Sequence, residues 1–229
     1  MYNQQKIAAV IVAAGQGKRM QADINKTYLA LRGKPILAYT IDAFETSQLI
    51  DEIILVVRAD EIAYCQKNVI DRYGYQKIKL IAGGKTRQDS VFCGLKALKN
   101  TQMVLIHDGA RPFITIEDLH YCIKETAKHK ATIMSVPVKE TIKVISAESV
   151  IEATPNRQTL RIAQTPQSFD YTLIYEAYIQ AQQNGYCATD DAMLVEKMGI
   201  AVHTINGKYT NIKITTPEDL IIAETLSKK

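Results

Sequence analysis

Short apolar runs alternate along the chain with segments of helical period, and most runs stop at a polar or glycine-bearing turn. Ile7–Val12 is a continuous apolar run of the length of a buried strand. Gly33-Lys34-Pro35 then punctuates the chain. Ile36, Leu37, Tyr39, Thr40, Ala43 and Phe44 follow at helical spacing, with Pro35 near the first turn. Residues 53–57 predict a second strand, 61–73 a helix, and Ile78–Ala82 a third strand ending at Gly83-Gly84. A helix over 87–99, a strand over 103–107, a helix over 116–130 and a strand over 132–136 continue the alternation. Thr115 and Asp118 set up a capping box for the second of these helices. Strand–helix alternation of this kind predicts an α/β core.

From 139 to 164 the pattern changes. TIKVI, SVIEA and TLRIA are short alternating pieces split by Ser146-Ala147-Glu148 and Thr154-Pro155-Asn156, which predicts an extended β-arm. Paired strands with little cover are marginal alone, so the arm should pack on the main body or on a second subunit, which makes a homodimer the expectation. Helices over 171–183 and 189–198, strands over 201–205 and 211–214, and a last helix opened by Thr216-Pro217-Glu218-Asp219 complete the chain. With 229 residues and no long linker, residues 1–229 read as one domain with one excursion.

Composition narrows the function. A content of 47% hydrophobic and 23% charged residues suits a globular chain with a sizeable core, and excludes disorder. The net charge of +4 is spread among acidic residues, which argues against a nucleic-acid surface and permits an anionic small ligand. Cys65, Cys93, Cys122 and Cys187 lie far apart without a CxxC spacing, giving neither a zinc signature nor a compact disulfide framework. MYNQQK lacks a signal-peptide core, and no run approaches the roughly 18–20 apolar residues of a membrane span. The expected location is the cytoplasm, with no membrane partner.

Candidate chemistry gathers at the turns. After the first strand, Gly15 and Gly17 leave backbone amides open to an anion, and Lys18, Arg19 and Lys26 add positive charge within a short span. The GxGxRM pattern lacks the third glycine of a dinucleotide fingerprint and the GK[ST] ending of a Walker loop. Ligands of open α/β sheets sit beyond the carboxyl ends of strands, and the loops of Gly15, Gly83 and Gly109 all occupy such positions.

AAGQGKRM, NKTYL, GGKTRQDSV, HDGARP, QTPQSF, ATDDA and NIKITTPEDL, in this order and spacing, resemble the bacterial 2-C-methyl-D-erythritol 4-phosphate cytidylyltransferases nearly end to end. The resemblance implies a single three-layer nucleotidyltransferase-like α/β domain with a mostly parallel, mixed central sheet and a protruding β-arm at 139–164. It implies transfer of cytidylyl from CTP to 2-C-methyl-D-erythritol 4-phosphate with release of pyrophosphate, in the non-mevalonate route to isoprenoid precursors. Arg19 and Lys26 would stabilise the α-phosphate, where a forked guanidinium and a compact ammonium offset the repulsion between two anions. Ala13, Ala14, Gly15, Gly17 and Lys18 would cradle the nucleotide. Gly84, Arg87 and Ser90 would reach cytosine and ribose, with Asp108 and Ala110 beside them.

Arg111, Thr165 and Thr189 would contact the sugar phosphate, as would Asp108. Thr141 and Arg157 would do so from the arm of a partner subunit, and Lys213 would position the attacking phosphate. Asp190 and Asp191 read equally well as acids at a helix start. Magnesium would be held chiefly by triphosphate oxygens and water, with Asp108 as the one candidate protein ligand. His107 reads as structural, because a phosphate nucleophile is already ionised near neutral pH. Two positions depart from the family pattern: Asn25 stands where proline is common before the lysine, and Thr210 where aspartate often precedes NIK. A ribitol 5-phosphate cytidylyltransferase would share the CTP chemistry, and a non-catalytic nucleotide-binding regulator would need the glycine loops without Arg19, Lys26 and Lys213 together.

Overall fold

The computed structural model describes residues 2, 4–15 and 25–228. Strand β1 (Ile7–Val12) is followed by a 3₁₀ turn at Lys26–Tyr28 and a small hairpin of β2 (Ala30–Leu31) and β3 (Lys34–Pro35), and then by α1 (Ile36–Thr46). After β4 (Glu52–Val57), a helical run opens at Ala59–Glu61 and passes through α2 (Ile62–Cys65) into a π-helical stretch, Gln66–Asp71. Next come β5 (Ile78–Ala82), α3 (Arg87–Ala97), β6 (Met103–Asp108), α4 (Ile116–His129) and β7 (Ala131–Pro137). A hairpin of β8 (Val144–Ile145) and β9 (Ile151–Ala153) leads back to β10 (Arg161–Asp170). The chain finishes with α5 (Tyr171–Asn184), α6 (Ala192–Lys197), β11 (His203–Asn206) and α7 (Pro217–Leu226).

Seven strands form one sheet in the order β11-β7-β10-β6-β1-β4-β5. All of its pairings are parallel except those of β10, which runs antiparallel to both β6 and β7. The strands alternate between two apolar layers. Ile7, Ala9 and Ile11 of β1 pack toward α1, the helical run after β4 and α4, while Ala8 and Val10 pack toward α3, α5 and α6. Burial on both faces explains why β1 and β4 read as continuous apolar runs and not as alternating ones. Emptying one of these positions, as in Ile11→Ala, would cost about 2–5 kcal/mol.

Helix starts follow local chemistry. Thr86 with Asp89, Thr115 with Asp118 and Thr216 with Asp219 each form a reciprocal capping box, and Pro217 opens α7. The four cysteines are all unbridged.

Three segments differ from the sequence expectation. The third piece expected in the arm runs on as β10, so Arg161–Asp170 is a sheet strand and the protruding part is the β8–β9 hairpin. The polar QTPQS stretch and its proline concealed a central strand. It is accommodated by a register shift between Ala163 and Gln167, and Gln167 is satisfied by Asp190 and by the amides of Asp191 and Ala192. Residues 211–214 are not a strand: Asn211 and Ile214 are the buried pair, a spacing no strand has. Side chains and the Ile214 N–H bond to Ala110 O fix this segment instead. The helix expected over 189–198 is confined to Ala192–Lys197, with Asp190 accepting from the Met193 N–H ahead of it.

Candidate active site

The carboxyl ends of β1, β4, β5 and β6 open on a cleft of about 420 Å³. Its floor is made by loops drawn together by backbone bonds. Ala13 N–H donates to Val56 O at 2.7 Å, Gly83 N–H to Val57 O at 2.8 Å and Gly109 N–H to Val12 O at 2.9 Å. A Cβ at Gly83 would lie 2.7 Å from both Ala14 Cβ and Ser90 Oγ, so the approach of the loops after β1 and β5 requires glycine there. Ala13, Ala14, Gly15, Gly84, Ser90 and Ala110, all candidates from the sequence, line this floor. Ser90 Oγ is engaged internally, donating to Thr86 O at 2.8 Å and accepting from Gly84 N–H at 3.1 Å.

Charge is arranged around one carboxylate. Asp108 is 7% exposed and meets Lys213 Nζ at 2.9 Å, Arg87 Nε at 3.2 Å and Arg111 Nε at 3.5 Å. Burial opposes its ionisation, but the charges of Arg87, Lys213 and Arg111 outweigh burial and hold the carboxyl far below the usual carboxylate range. Arg87 also grips Asp191 with both terminal nitrogens, at 3.1 and 2.8 Å, and Tyr178 donates its hydroxyl to the same fully buried carboxylate. Burial works against the Arg87 charge, and these two aspartates more than restore it. Asp191 is therefore a structural counter-ion to a cleft arginine.

His107 lies behind Asp108, fully buried, and desolvation lowers its pKa to about 3. Its Nε2 faces Arg111 O at 3.2 Å and must carry the proton, so Nδ1 accepts from the Thr165 hydroxyl at 3.0 Å. Thr165 Oγ1 in turn accepts from Asp108 N–H at 3.1 Å. The neutral imidazole thus braces the strand end that presents Asp108.

Lys26 lines the same cleft and donates to Ile214 O at 2.8 Å, which joins the first loop to the segment carrying Lys213. Six lining residues were not singled out as site candidates in the sequence: Val12, Thr27, Arg58, Lys85, Thr86 and Thr215. Arg58 follows β4 directly, so the rule that ligands gather at strand ends could have found it.

The other sequence candidates lie elsewhere. Arg111 is turned inward, donating to Asn211 O at 2.9 Å, and the Thr165 hydroxyl is used as described. Thr189 is exposed, with Oγ1 3.9 Å from Met193 Sδ. Thr141 and Arg157 are exposed on the arm side, Arg157 donating to Lys139 O at 3.2 Å. Gly17, Lys18 and Arg19 lie outside the described residues.

Among the described residues no group of three or more His, Cys, Asp or Glu side chains is placed to hold a metal. Asp108, the one carboxylate lining the cleft among the described residues, is already shared by three cations, so the described donor set does not fit a protein-held magnesium ion.

Among the described residues five cations line the cleft, Lys26, Arg58, Lys85, Arg87 and Lys213, against one carboxylate. A mostly parallel sheet with such a cleft beyond its strand ends defines the class: an α/β protein that receives a polyphosphate. The family model described as 2-C-methyl-D-erythritol 4-phosphate cytidylyltransferase matches residues 7–229, and the chain belongs to that family. A protein of that name from Alkaliphilus oremlandii is 49% identical over 230 residues, covering 100% of this chain and 98% of its own length. One from Clostridioides difficile is 48% identical over 220 residues, covering 96% of this chain and 92% of its own. Among solved structures, the 4-diphosphocytidyl-2C-methyl-D-erythritol synthase of Anaerococcus prevotii superposes with a TM-score of 0.88 at 38% identity, covering 98% of this chain and 97% of that one.

Proposed function

We propose that the cationic cleft is where this cytidylyltransferase joins its two substrates, and that Lys26 and Lys213 act directly on their phosphates. The enzyme transfers the cytidylyl group of CTP to 2-C-methyl-D-erythritol 4-phosphate, giving 4-diphosphocytidyl-2-C-methyl-D-erythritol and pyrophosphate in the non-mevalonate pathway. A phosphate oxygen of the sugar attacks the α-phosphorus of CTP, and the bond from that phosphorus to the β-phosphate oxygen breaks. Both reactants are anions, so catalysis rests on offsetting their repulsion and holding them in line. The observation that carries the proposal is the gathering of five cations and the open loops of Ala13–Gly15 and Gly84 around one cleft.

In this reading Ala13, Ala14 and Gly15 receive the triphosphate, and Lys26, joined by Arg19, neutralises charge growing at the α-phosphate. Gly84, Ser90 and Ala110 border the base and ribose. Ser90 contacts the base by giving up its bond to Thr86 O. Lys213, held by Asp108, presents the sugar phosphate. Arg87 fixes Asp108 from the far side, while Arg111 and Thr165 support the same carboxylate. Magnesium enters as the counter-ion that CTP carries, and no step here depends on a protein ligand for it.

The arm supports a homodimer. Ile142, Val144, Ile145, Val150 and Ile151 are each 39% exposed or more on and beside the β8–β9 hairpin, apolar area that a second copy would cover. Such a dimer would bring Thr141 and Arg157 of one subunit to the sugar-phosphate side of the other, with Thr189 the remaining candidate contact. No helix among the described residues is long and apolar enough to cross a membrane. The cytoplasm, where CTP is made, is the location proposed.

The test is a coupled pyrophosphate assay with CTP and either 2-C-methyl-D-erythritol 4-phosphate or ribitol 5-phosphate. Release is expected with the first. Release with ribitol 5-phosphate alone would overturn the substrate, and tight CTP binding without release from either would leave only a nucleotide-binding regulator.

A further inference from the structure

Asn25 stands directly before Lys26, and its backbone has a proline-like shape, with φ −57° and ψ 130°. Here the side chain holds that shape. Asn25 is 6% exposed, and its amide uses both its donors and both its acceptor positions. Nδ2 donates to Ala13 O at 2.9 Å and to Glu61 Oε2 at 3.0 Å, while Oδ1 accepts from the Thr27 N–H at 3.1 Å and from the Thr27 hydroxyl at 3.0 Å.

The partners belong to three segments that form one wall of the cleft: the loop after β1, the Lys26–Tyr28 turn and the helical run after β4. Glu61 also reaches the cleft, because its Oε1 lies 3.8 Å from Nε of Arg58, a lining residue. A single buried amide therefore fixes the lysine turn against the nucleotide loop and ties both to Glu61, while Arg58 itself is held by Asp60.

We propose that Asn25 is a positioning residue for Lys26, holding the lysine turn in register with the Ala13–Gly15 loop through a clamp anchored on Glu61. The inference rests on the reading of the cleft as the CTP site. A proline would fix φ alone. The asparagine fixes φ and also couples the turn to the Ala13–Gly15 loop and to Glu61. Displacements of about 1 Å at a catalytic group cost up to 10²-fold in rate, which makes such a clamp matter for turnover more than for binding.

Two substitutions separate this role from general stability. Asn25→Ala removes all four bonds. Asn25→Asp keeps the shape and the Thr27 contacts, but sets a carboxylate against the Ala13 carbonyl and against Glu61. Glu61 is itself faced by Arg58, which Asp60 also holds, by Cys65 on the helical run and by Tyr28 from the lysine turn. Two carboxylates at that distance share a proton, so the Asp variant regains its bond to Glu61, though not the one to Ala13 O, as pH falls.

The experiment compares the full-length wild type with both variants by pyrophosphate release at saturating substrates, CTP affinity by calorimetry, thermal midpoint and amide hydrogen exchange at Thr27. Expected for Asn25→Ala are a kcat about 10- to 10²-fold lower, a CTP Kd within about threefold of wild type, and faster exchange at Thr27 with the β1 amides unchanged. For Asn25→Asp, activity relative to wild type should rise from about pH 8 to about pH 6.

A kcat within about threefold of wild type for Asn25→Ala would overturn the proposal. So would a parallel loss of kcat, CTP affinity and thermal midpoint with a pH-independent ratio for Asn25→Asp. If the wild type releases no pyrophosphate, the functional reading fails. Unchanged Thr27 exchange in Asn25→Ala sinks the clamp whatever the activity.

Discussion

Lys213 Nζ lies 2.9 Å from Oδ2 of Asp108, a carboxylate that Arg87 and Arg111 approach from other sides. The lysine is 36% exposed in its side chain while the aspartate is 10% exposed, so the pair presents a positive tip to the cleft on a buried negative anchor. Replacing Asp108 with Asn leaves Lys213 and Arg111 without their counter-ion and Arg87 with Asp191 alone. Breaking a buried pair by removing one partner costs about 3–5 kcal/mol. We expect Asp108→Asn to lower stability by about 3 kcal/mol and to weaken use of the sugar phosphate, checked by denaturant unfolding and steady-state kinetics.

The same carboxylate sets a pH dependence. Its folded pKa lies below the unfolded value, so its stabilisation is fully present above about pH 4 and is lost only as pH falls below that through the folded value. Unfolding free energy measured in strong acid should therefore fall less steeply for Asp108→Asn than for the wild type. Parallel acid profiles would refute the assignment.

His107 acts over a different window. Burial lowers its folded pKa to about 3, below the unfolded value of about 6.5, so the unfolded chain binds the extra proton between these limits. Stability from this group is present above pH 6.5 and declines toward pH 3, by up to about 1.4 kcal/mol per pH unit. His107→Gln should flatten that slope in urea unfolding. It should also leave the pH dependence of kcat between about pH 6.5 and 8 unchanged, because a neutral buried imidazole that accepts from Thr165 is not the general base.

Much of this was legible in the sequence, for identifiable reasons. The parallel strands buried on both faces announce themselves as apolar runs, and the glycines mark where loops approach: Gly83 is excluded from bearing a Cβ by Ala14 and Ser90. What stayed hidden depended on partners distant in sequence. β10 is central although its polar residues and Pro166 argue against a strand, because Gln167 finds Asp190 and two helix-start amides 23 to 25 residues away. Asp191, an ordinary helix-start acid on paper, is the counter-ion of Arg87 104 residues earlier. Arg111 and Thr165 have the residue types of substrate contacts but are turned inward, and no local pattern reports a side chain's direction.

Lys26 lines the cleft and bonds Ile214 O, so it touches both halves of the site. Lys26→Ala should reduce kcat by at least about 10²-fold, the scale of losing one electrostatic contact to a transition state, while the thermal midpoint shifts little. A near-normal turnover number at saturating CTP and sugar phosphate would remove Lys26 from the reaction.

Arg157 and Lys26 provide a test of whether the arm completes a neighbour's site. Arg157→Ala should raise KM for the sugar phosphate while leaving CTP affinity unchanged, since Arg157 is exposed and, among the described residues, its side chain bonds only Lys139 O. If Arg157 serves the partner, mixing inactive Lys26→Ala with impaired Arg157→Ala subunits creates heterodimers in which one site carries both substitutions and the other carries neither. Random exchange makes half the dimers hybrid, so activity at low sugar-phosphate concentration should recover to about a quarter of wild type. If Arg157 serves its own chain, every site in the hybrid carries one substitution, and mixing restores nothing. Measured after subunit exchange and against unmixed controls, the absence of recovery would sink the shared-site proposal even if size-exclusion chromatography showed a dimer.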